Sequence, residues 1–214
     1  MEVLVVGGGI LGCSSALALA GRGHEVTLQE RSTLGSGSTA KAAGILSAFT
    51  WNDDDYRLIA KTRGMVGEII GITMAAGLRE AKRAWRKAES IAIGKGPTLA
   101  RLDGFQDRLE RMAEEVDRLD HRGAAREFPG LRFEPGEEVL VAQEDGVLEA
   151  GDLLAALRHR LVGEGVTLRE NRPAGRLPLR NGEVEGVAVV VAGGSWTRDS
   201  GTTYYVANVS GLTF

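Results

Sequence analysis

The sequence predicts an α/β fold built on a parallel sheet, and three observations predict it. An apolar run at Val3–Val6 meets a cluster of glycines in residues 7–12, and an Ala- and Leu-rich stretch follows. A second apolar run, over residues 26–30, ends in an acid, and a third, Val187–Val191, again runs into glycines. Apolar runs separated by a helical stretch are typical of βαβ units, whose right-handed crossover places the two strands side by side.

The glycines after the first strand have the spacing G-x-G-x-x-G, at Gly7, Gly9 and Gly12. In this pattern the first glycine makes a tight turn, the second lets the backbone approach a pyrophosphate, and the third lets helix and strand pack closely. The N-terminus of the helix adds unpaired N–H groups and a partial positive charge. Glu30 can accept hydrogen bonds from both hydroxyls of an adenosine ribose and would repel a 2′-phosphate. The sequence therefore predicts a dinucleotide site that disfavours NADP.

The remaining elements follow from hydrophobic spacing and from turn residues. Helices are predicted at 10–22, 40–44, 54–77, 99–119 and 148–163, and strands at 90–93, 138–142, 166–170 and 202–206. The helix at 99–119 is predicted because its apolar residues, from Leu102 to Leu119, lie on one side. Ser38 and Thr39 are N-cap candidates for the short helix, but their glycine-rich stretch also fits a flexible surface loop. Asn181-Gly182 is typical of a hairpin turn.

Composition sets bounds on the class of protein. With 214 residues, 43% hydrophobic and 26% charged, the chain is ordinary for a soluble globular protein of one large or two small domains. A net charge of -3 gives no electrostatic case for nucleic acid. A single cysteine excludes an internal disulfide, and a strand that begins at residue 2 leaves no room for a signal peptide.

These features favour a cytoplasmic protein. No apolar stretch reaches the ~18 residues of a membrane span, and peripheral attachment to a membrane stays open. The three histidines, His24, His121 and His159, share no metal-ligand spacing, so no metal site is predicted. Cys13 is interpreted as a small core residue rather than as a catalytic thiol.

Several segments of the chain, in order, match one group of proteins. They are residues 3–12, Glu30-Arg31, residues 37–45 and residues 191–196, with weaker support from 144–148 and 168–174. Together they resemble the D-amino acid oxidase family of flavoproteins, which includes glycine and sarcosine oxidases and dye-linked proline dehydrogenases. The resemblance covers most of residues 1–200 and is weakest over 51–140.

The resemblance implies FAD as the cofactor, and it implies a role for individual residues. Those that would hold the pyrophosphate, the phosphates and the AMP ribose are Gly7, Gly9, Ile10, Gly12, Ser38, Thr39 and Glu30, with Arg31 beside the ribose. Those that would lie near the isoalloxazine ring, the adenine, or the phosphate and ribityl path are Ala43, Gly44, Ile45, Ala174, Ala192, Gly193, Gly194 and Trp196.

The implied architecture is a discontinuous, Rossmann-like FAD-binding domain with a smaller α+β substrate domain. Residues 1–80 and 145–200 would form the FAD-binding domain, 81–144 part of the substrate domain, and 201–214 the start of a further strand. Family members continue for roughly as long again, so the substrate domain is expected to be incomplete at the C-terminus. The strand Val187–Val191 also follows its hairpin with fewer residues between them than is usual in the family.

The implied function is oxidation of an amine or amino acid (proline, sarcosine, glycine or D-amino acid type) by hydride transfer to flavin N5. The electron acceptor would be oxygen or a carrier, no catalytic residue is assigned, and a homo- or hetero-oligomer stays open. Two alternatives remain. One is a non-catalytic FAD- or nucleotide-binding chain completed by another chain. The other is an NAD-dependent dehydrogenase, which gives no role to residues 37–39 or 193–196.

Overall fold

The computed structural model describes residues 1–174, 183–184 and 187–194. Short 3₁₀ helices lie at Thr39–Lys41, Arg79–Ala84 and Gly96–Thr98. The other elements, in chain order, are β1 (Glu2–Val6), α1 (Ile10–Ala20), β2 (Glu25–Gln29), β3 (Ile45–Leu46), α2 (Asp53–Ala75), β4 (Trp85–Lys87), β5 (Ser90–Lys95), α3 (Leu99–Arg111), β6 (Val116–Asp120), α4 (His121–Glu127), β7 (Glu137–Ala142), β8 (Gly146–Leu148), α5 (Ala150–Gly163), β9 (Thr167–Arg169), β10 (Glu183–Val184) and β11 (Val187–Val191).

The described residues form two compact units. The first contains Met1–Ala42, Ile69–Ala84 and the described residues from Ala150 onward. The second contains Ala43–Glu68 and Trp85–Glu149. Both units are therefore assembled from segments that are distant in the sequence.

The first unit contains a five-stranded sheet in the order β10-β11-β1-β2-β9. β1 pairs in parallel with β11 and with β2, β2 pairs in parallel with β9, and β10 is antiparallel to β11. Val5 lies opposite Val190 on one side and Leu28 on the other, and both Val5 and Leu28 are fully buried. Strands of a parallel sheet are covered on both faces, which is why they are continuous apolar runs in the sequence. The predicted α/β fold with a parallel sheet is confirmed.

Helix α1 packs on β1 and β2 of this sheet and also against α5, and both helices contribute to the core of the unit. Cys13 and Ala16 of α1 are fully buried, as are Leu157 and Leu161 of α5. The small residues of α1 let it lie close to the sheet and to α5. The βαβ unit thereby fixes the direction of α1, whose N-terminus meets the carboxyl end of β1.

The second unit contains two antiparallel sheets of three strands, in the orders β5-β7-β6 and β3-β8-β4. β7 is the central strand of the first sheet, and it is buried on both faces. Leu140 and Ala142 belong to a core cluster with Leu102 and Leu109 of α3, whereas Val139 and Val141 pack with Ala124 of α4. The alternation of side chains along β7 thus joins one helix to each face of the sheet.

The predicted helix over residues 99–119 is wrong in its second half. Helix α3 ends at Arg111, Ala113 has a left-handed φ of 58°, and Val116–Asp120 forms strand β6. Val116 and Leu119 have a spacing that also fits a helix, but they pair with β7 in the sheet. Tertiary pairing has overridden the local pattern here.

Other predicted elements agree in type and differ at their ends. The helix predicted from Leu148 begins at Ala150, because the residues before it form β8. The helix predicted over 40–44 is the single 3₁₀ turn Thr39–Lys41. The predicted hairpin turn at Asn181-Gly182 and the predicted strand over 202–206 lie outside the described residues.

Candidate cofactor site

The first glycine of the motif makes the turn between β1 and α1. Gly7 has φ 110°, a conformation that glycine adopts readily, and its N–H donates to the Gln29 carbonyl at 2.9 Å. A Cβ atom here would overlap the carbonyl of Ala192, the residue after β11. Both the backbone conformation of Gly7 and its close contact with Ala192 therefore require glycine at this position.

The other two motif glycines differ from each other in what surrounds them. A Cβ on Gly12 would overlap the Gly7 carbonyl oxygen, so Gly12 lets the first turn of α1 pack on the end of β1. A Cβ on Gly9 would meet a single described atom, Thr39 Oγ1, at 3.2 Å. Gly9 also has an ordinary extended backbone, with φ -75° and ψ -177°. Its missing side chain thus leaves open surface in front of the helix.

The N-terminus of α1 has no acidic side chain of its own helix to balance its partial positive charge. Gly9 provides no side-chain cap, and the first turn contains no acidic residue. The Ile10 N–H donates to Thr39 Oγ1 at 3.1 Å, which brings the 3₁₀ turn Thr39–Lys41 to the same end of the helix. The first N–H groups of a helix have no partner within it and carry partial positive charge. Phosphate groups bind at such positions.

Glu30 lies directly after β2, and backbone donors hold its carboxylate. Oε2 accepts the Gly8 N–H at 2.7 Å and Oε1 accepts the Ser32 N–H at 2.9 Å. Each carboxylate oxygen has a further lone pair, so both can accept another hydrogen bond. The exposed side chain of Arg31 follows.

The segment after β9 runs beside Glu30. The Arg172 N–H donates to the Glu30 carbonyl at 2.9 Å and the Asn171 N–H donates to the Ser32 carbonyl at 2.8 Å. Asn171 has φ 53°, which turns the chain toward Ala174, a half-buried residue. The segment that carries Ala174 is therefore anchored at the end of β2 where Glu30 lies.

The end of β11 lies beside the glycine turn. The Ala192 N–H donates to the Val6 carbonyl at 2.7 Å, and a Cβ on Gly7 would lie 3.0 Å from the Gly193 nitrogen. Gly194 has φ 61°. Trp196, the remaining predicted residue of this stretch, lies outside the described residues.

The predicted residues Ala43, Gly44 and Ile45 belong to the second unit. Gly44 has φ 69°, and its carbonyl accepts the Leu148 N–H at 2.8 Å. Ile45 begins β3 and is 67% exposed, although it is a large apolar residue. The other predicted site residues that the structure describes all belong to the first unit.

Sequence reasoning missed two groups at this site. Gly8 and Ser32 donate to the Glu30 carboxylate, and nothing in their residue types indicates this, since any backbone N–H can do it.

The interpretation of Cys13 as a core residue is confirmed, because the side chain is fully buried. Burial, with smaller contributions from the Glu30 and Glu170 carboxylates, raises the pKa of Cys13 to about 12, so the thiol stays protonated.

The fold and this arrangement define a dinucleotide-binding α/β protein, with the site at the carboxyl ends of parallel strands. The model of the DAO family, described as FAD dependent oxidoreductase, matches residues 2–209. The chain therefore belongs to this family of FAD-dependent oxidoreductases, and the resemblance drawn from the sequence is confirmed. The open surface at Gly9, the helix N-terminus without a side-chain cap from Gly9, and the lone pairs that the backbone donors leave on Glu30 fit the diphosphate and ribose of FAD.

Curated relatives include enzymes that act on amino acids. The chain is 29% identical over 217 aligned residues to glycine oxidase from Geobacillus kaustophilus (strain HTA426), covering 91% of this chain and 55% of the relative. It is 27% identical to the peroxisomal sarcosine oxidase of Mus musculus, covering 92% of this chain and 51% of the relative. The chain thus spans about half the length of these relatives.

Solved structures share the fold. Iminodiacetate oxidase from Chelativorans sp. BNC1 matches with a TM-score of 0.69 and 26% identity, covering 93% of this chain and 57% of that one. L-proline dehydrogenase from P. horikoshii matches with a TM-score of 0.75 and 19% identity, covering 95% and 56%. Within the part of the chain that the structure describes, no helix has the length and apolar character needed to cross a bilayer.

Proposed function

We propose that this chain binds FAD and serves in the oxidation of an amine or amino acid of the proline, sarcosine, glycine or D-amino acid type. The single observation that carries the proposal is the meeting of Gly9, the N-terminus of α1 that Gly9 leaves without a side-chain cap, and the Glu30 carboxylate at one end of a parallel sheet. The names of the relatives, glycine oxidase and sarcosine oxidase, support the substrate class.

The residues of the first unit would hold the cofactor by its polar half. The first turn of α1 would bind the diphosphate. Thr39 Oγ1, which accepts the Ile10 N–H, still has its own hydrogen to donate to a phosphate. Glu30 would accept the ribose hydroxyls with lone pairs that its two backbone donors leave free. The remaining positions of the proposal are Gly7, Gly12, Arg31, Ser38, Ala174, Ala192, Gly193, Gly194 and Trp196, and, near the isoalloxazine ring, Ala43, Gly44 and Ile45.

FAD, when bound, supplies the acceptor for a hydride from the substrate α-carbon. The protein's own part is to bind and orient the cofactor and to exclude water from the reacting atoms. The proposal assigns no general base. The final electron acceptor would be oxygen or a dye-like carrier.

The visible spectrum of the purified full chain, followed by anaerobic addition of amines, tests the proposal. Flavin bands that bleach with a secondary or D-amino acid are the expected result. Gly9→Val should fold, because its backbone conformation suits any residue, and it should lack the bands because the side chain occupies the diphosphate position. Gly130→Val, on an exposed turn with open space around it, is the matched control and should keep them. A colourless wild-type chain that binds NADH would contradict the proposal.

A second candidate is a chain that binds FAD without catalysing a reaction alone and that another chain completes. The chain spans 55% and 51% of the length of the two relatives. In the same experiment this candidate predicts flavin bands that persist with every amine tested. Bleaching by the isolated chain would contradict it.

A further inference from the structure

The second unit contains a buried polar network that the proposed function does not use. Asp145, between β7 and β8, is fully buried. Its Oδ1 accepts the Ala48 N–H at 2.8 Å and its Oδ2 accepts the Ser47 hydroxyl at 2.8 Å. An Arg63 Nη atom donates to the same carboxylate. A buried charge is costly without partners, and these three donors supply the partners that stabilise the Asp145 carboxylate in the interior.

The guanidinium of Arg63 connects Asp145 to a second acid. Its other Nη atom donates to Glu114, and the Tyr56 hydroxyl donates to the same Glu114 oxygen. Burial and the hydrogen bond to Glu114 raise the pKa of Tyr56 above its usual range, so this hydroxyl keeps its proton and remains a donor. The network therefore places Arg63 between two carboxylates and fixes it there.

The network acts on the backbone that follows Ile45. β3 pairs with β8 through Leu46 and Gly146, and Asp145, the residue just before Gly146, binds the next two residues of the β3 segment. The Ser47 hydroxyl in turn accepts the Phe49 N–H at 3.3 Å. Leu46 and Ala48 are buried, whereas Ile45, the first residue of β3, is 67% exposed to solvent. The exposed residue Ile45 is thus followed, within the next three residues, by Ser47 and Ala48, which are hydrogen-bonded to the buried Asp145 carboxylate.

We propose that Asp145 is a positioning residue, which through Ser47 and Ala48 sets the place of the Gly44–Ile45 segment. This inference rests on the proposed function, which assigns that segment to the isoalloxazine ring. Asp145 itself would touch neither cofactor nor substrate. Its effect would reach the flavin through the backbone that it holds.

Hydrogen exchange of the cofactor-free chain tests the positioning directly. Ser47→Ala removes one hydrogen bond to the carboxylate, and amides of residues 44–49 should exchange roughly tenfold to a hundredfold faster. Ser47→Thr retains a hydroxyl and should restore slow exchange. Thr62→Ala, which deletes a hydroxyl bonded to the Leu58 carbonyl on α2, is the control and should leave residues 44–49 unchanged. Asp145→Ala should enlarge the effect, and where it fails to fold Ser47→Ala carries the test.

Titration of the same variants with FAD tests the connection to the cofactor. Ser47→Ala should weaken FAD binding and move the visible flavin bands toward those of free FAD, with Ser47→Thr and Thr62→Ala like the wild type. Unchanged exchange in Ser47→Ala would overturn the positioning role. Faster exchange with an unchanged flavin spectrum and affinity would overturn the connection to the cofactor. A wild-type chain that takes up no flavin would overturn the proposed function and this connection together, while the exchange data would still decide whether Asp145 holds the segment.

Discussion

Glu30→Gln changes the carboxylate at the end of β2 by one atom, and the structure gives the size of the effect. Two backbone donors, the N–H groups of Gly8 and Ser32, point at two different oxygens of Glu30. A glutamine has one oxygen, so its NH₂ group would face one of these donors and lose that hydrogen bond. A hydrogen bond to a charged group contributes about 1.5–3 kcal/mol. The cofactor-free protein should lose about this much stability.

The same loss can be stated for two assays. About 1.5–3 kcal/mol corresponds to roughly 3–12 °C in the melting midpoint of a chain of this size, followed by circular dichroism. FAD affinity should fall further, by roughly 10- to 100-fold, because the ribose hydroxyls meet an amide in place of a carboxylate. Glu25→Gln is the control, since Glu25 begins the strand β2 that ends just before Glu30 and has an exposed side chain. It should change neither quantity.

The two assays separate the two roles of Glu30. Lower stability with unchanged FAD affinity would remove the ribose role and keep the structural one. If Glu30→Gln melts like the wild type, the reasoning from Gly8 and Ser32 is refuted, because two donors would then have been satisfied by one oxygen.

Three further predictions concern the first unit. Gly12→Ala should destabilise the chain by about 1–3 kcal/mol in denaturant unfolding even without FAD, because the methyl group would overlap the Gly7 carbonyl oxygen, and a wild-type midpoint would contradict this. Cys13, whose pKa burial raises to about 12, should resist thiol reagents at neutral pH and react once the chain is unfolded, and rapid labelling of the native protein would show that it is accessible. The Leu34 N–H, and after it Arg158, lowers the pKa of Glu170, so its contribution should be complete above the unfolded value of about 4.3 and disappear as pH falls through the lower folded value. Glu170→Gln should therefore be less stable than the wild type at neutral pH and approach it in acid.

The sequence predicted the first unit well because its signals are local. The run Val3–Val6, the turn glycines and the run before Glu30 are adjacent in the chain, so periodicity alone indicates β1, α1 and β2. The second unit was predicted less well. β3, β4 and β8 have two or three residues each, too few for a period to appear, and β6 was read as a helix because Val116 and Leu119 also fit helical spacing.

The candidate site divides in the same way. Gly9 and Glu30 belong to a recognisable spacing, so their place at the end of the sheet could be predicted. The network around Asp145 could not, because Arg63 lies 82 residues away along the chain and Ser47 lies 98. An acid after the strand β7 is the only local sign of it, and an acid there is equally typical of a solvated turn.

The three motif glycines differ in whether the fold itself requires them, and this difference predicts which position would change first if nucleotide binding were lost. Gly7 and Gly12 touch neighbouring backbone, so a descendant that had lost its nucleotide would still need both in order to fold. A Cβ on Gly9 would lie 3.2 Å from one side-chain atom, Thr39 Oγ1, so a replacement there would require only a small shift of that side chain once the ligand was gone. In a decayed or repurposed copy of this gene product, position 9 would be the first of the three to drift, and it is the one whose identity reports continued use of the cofactor.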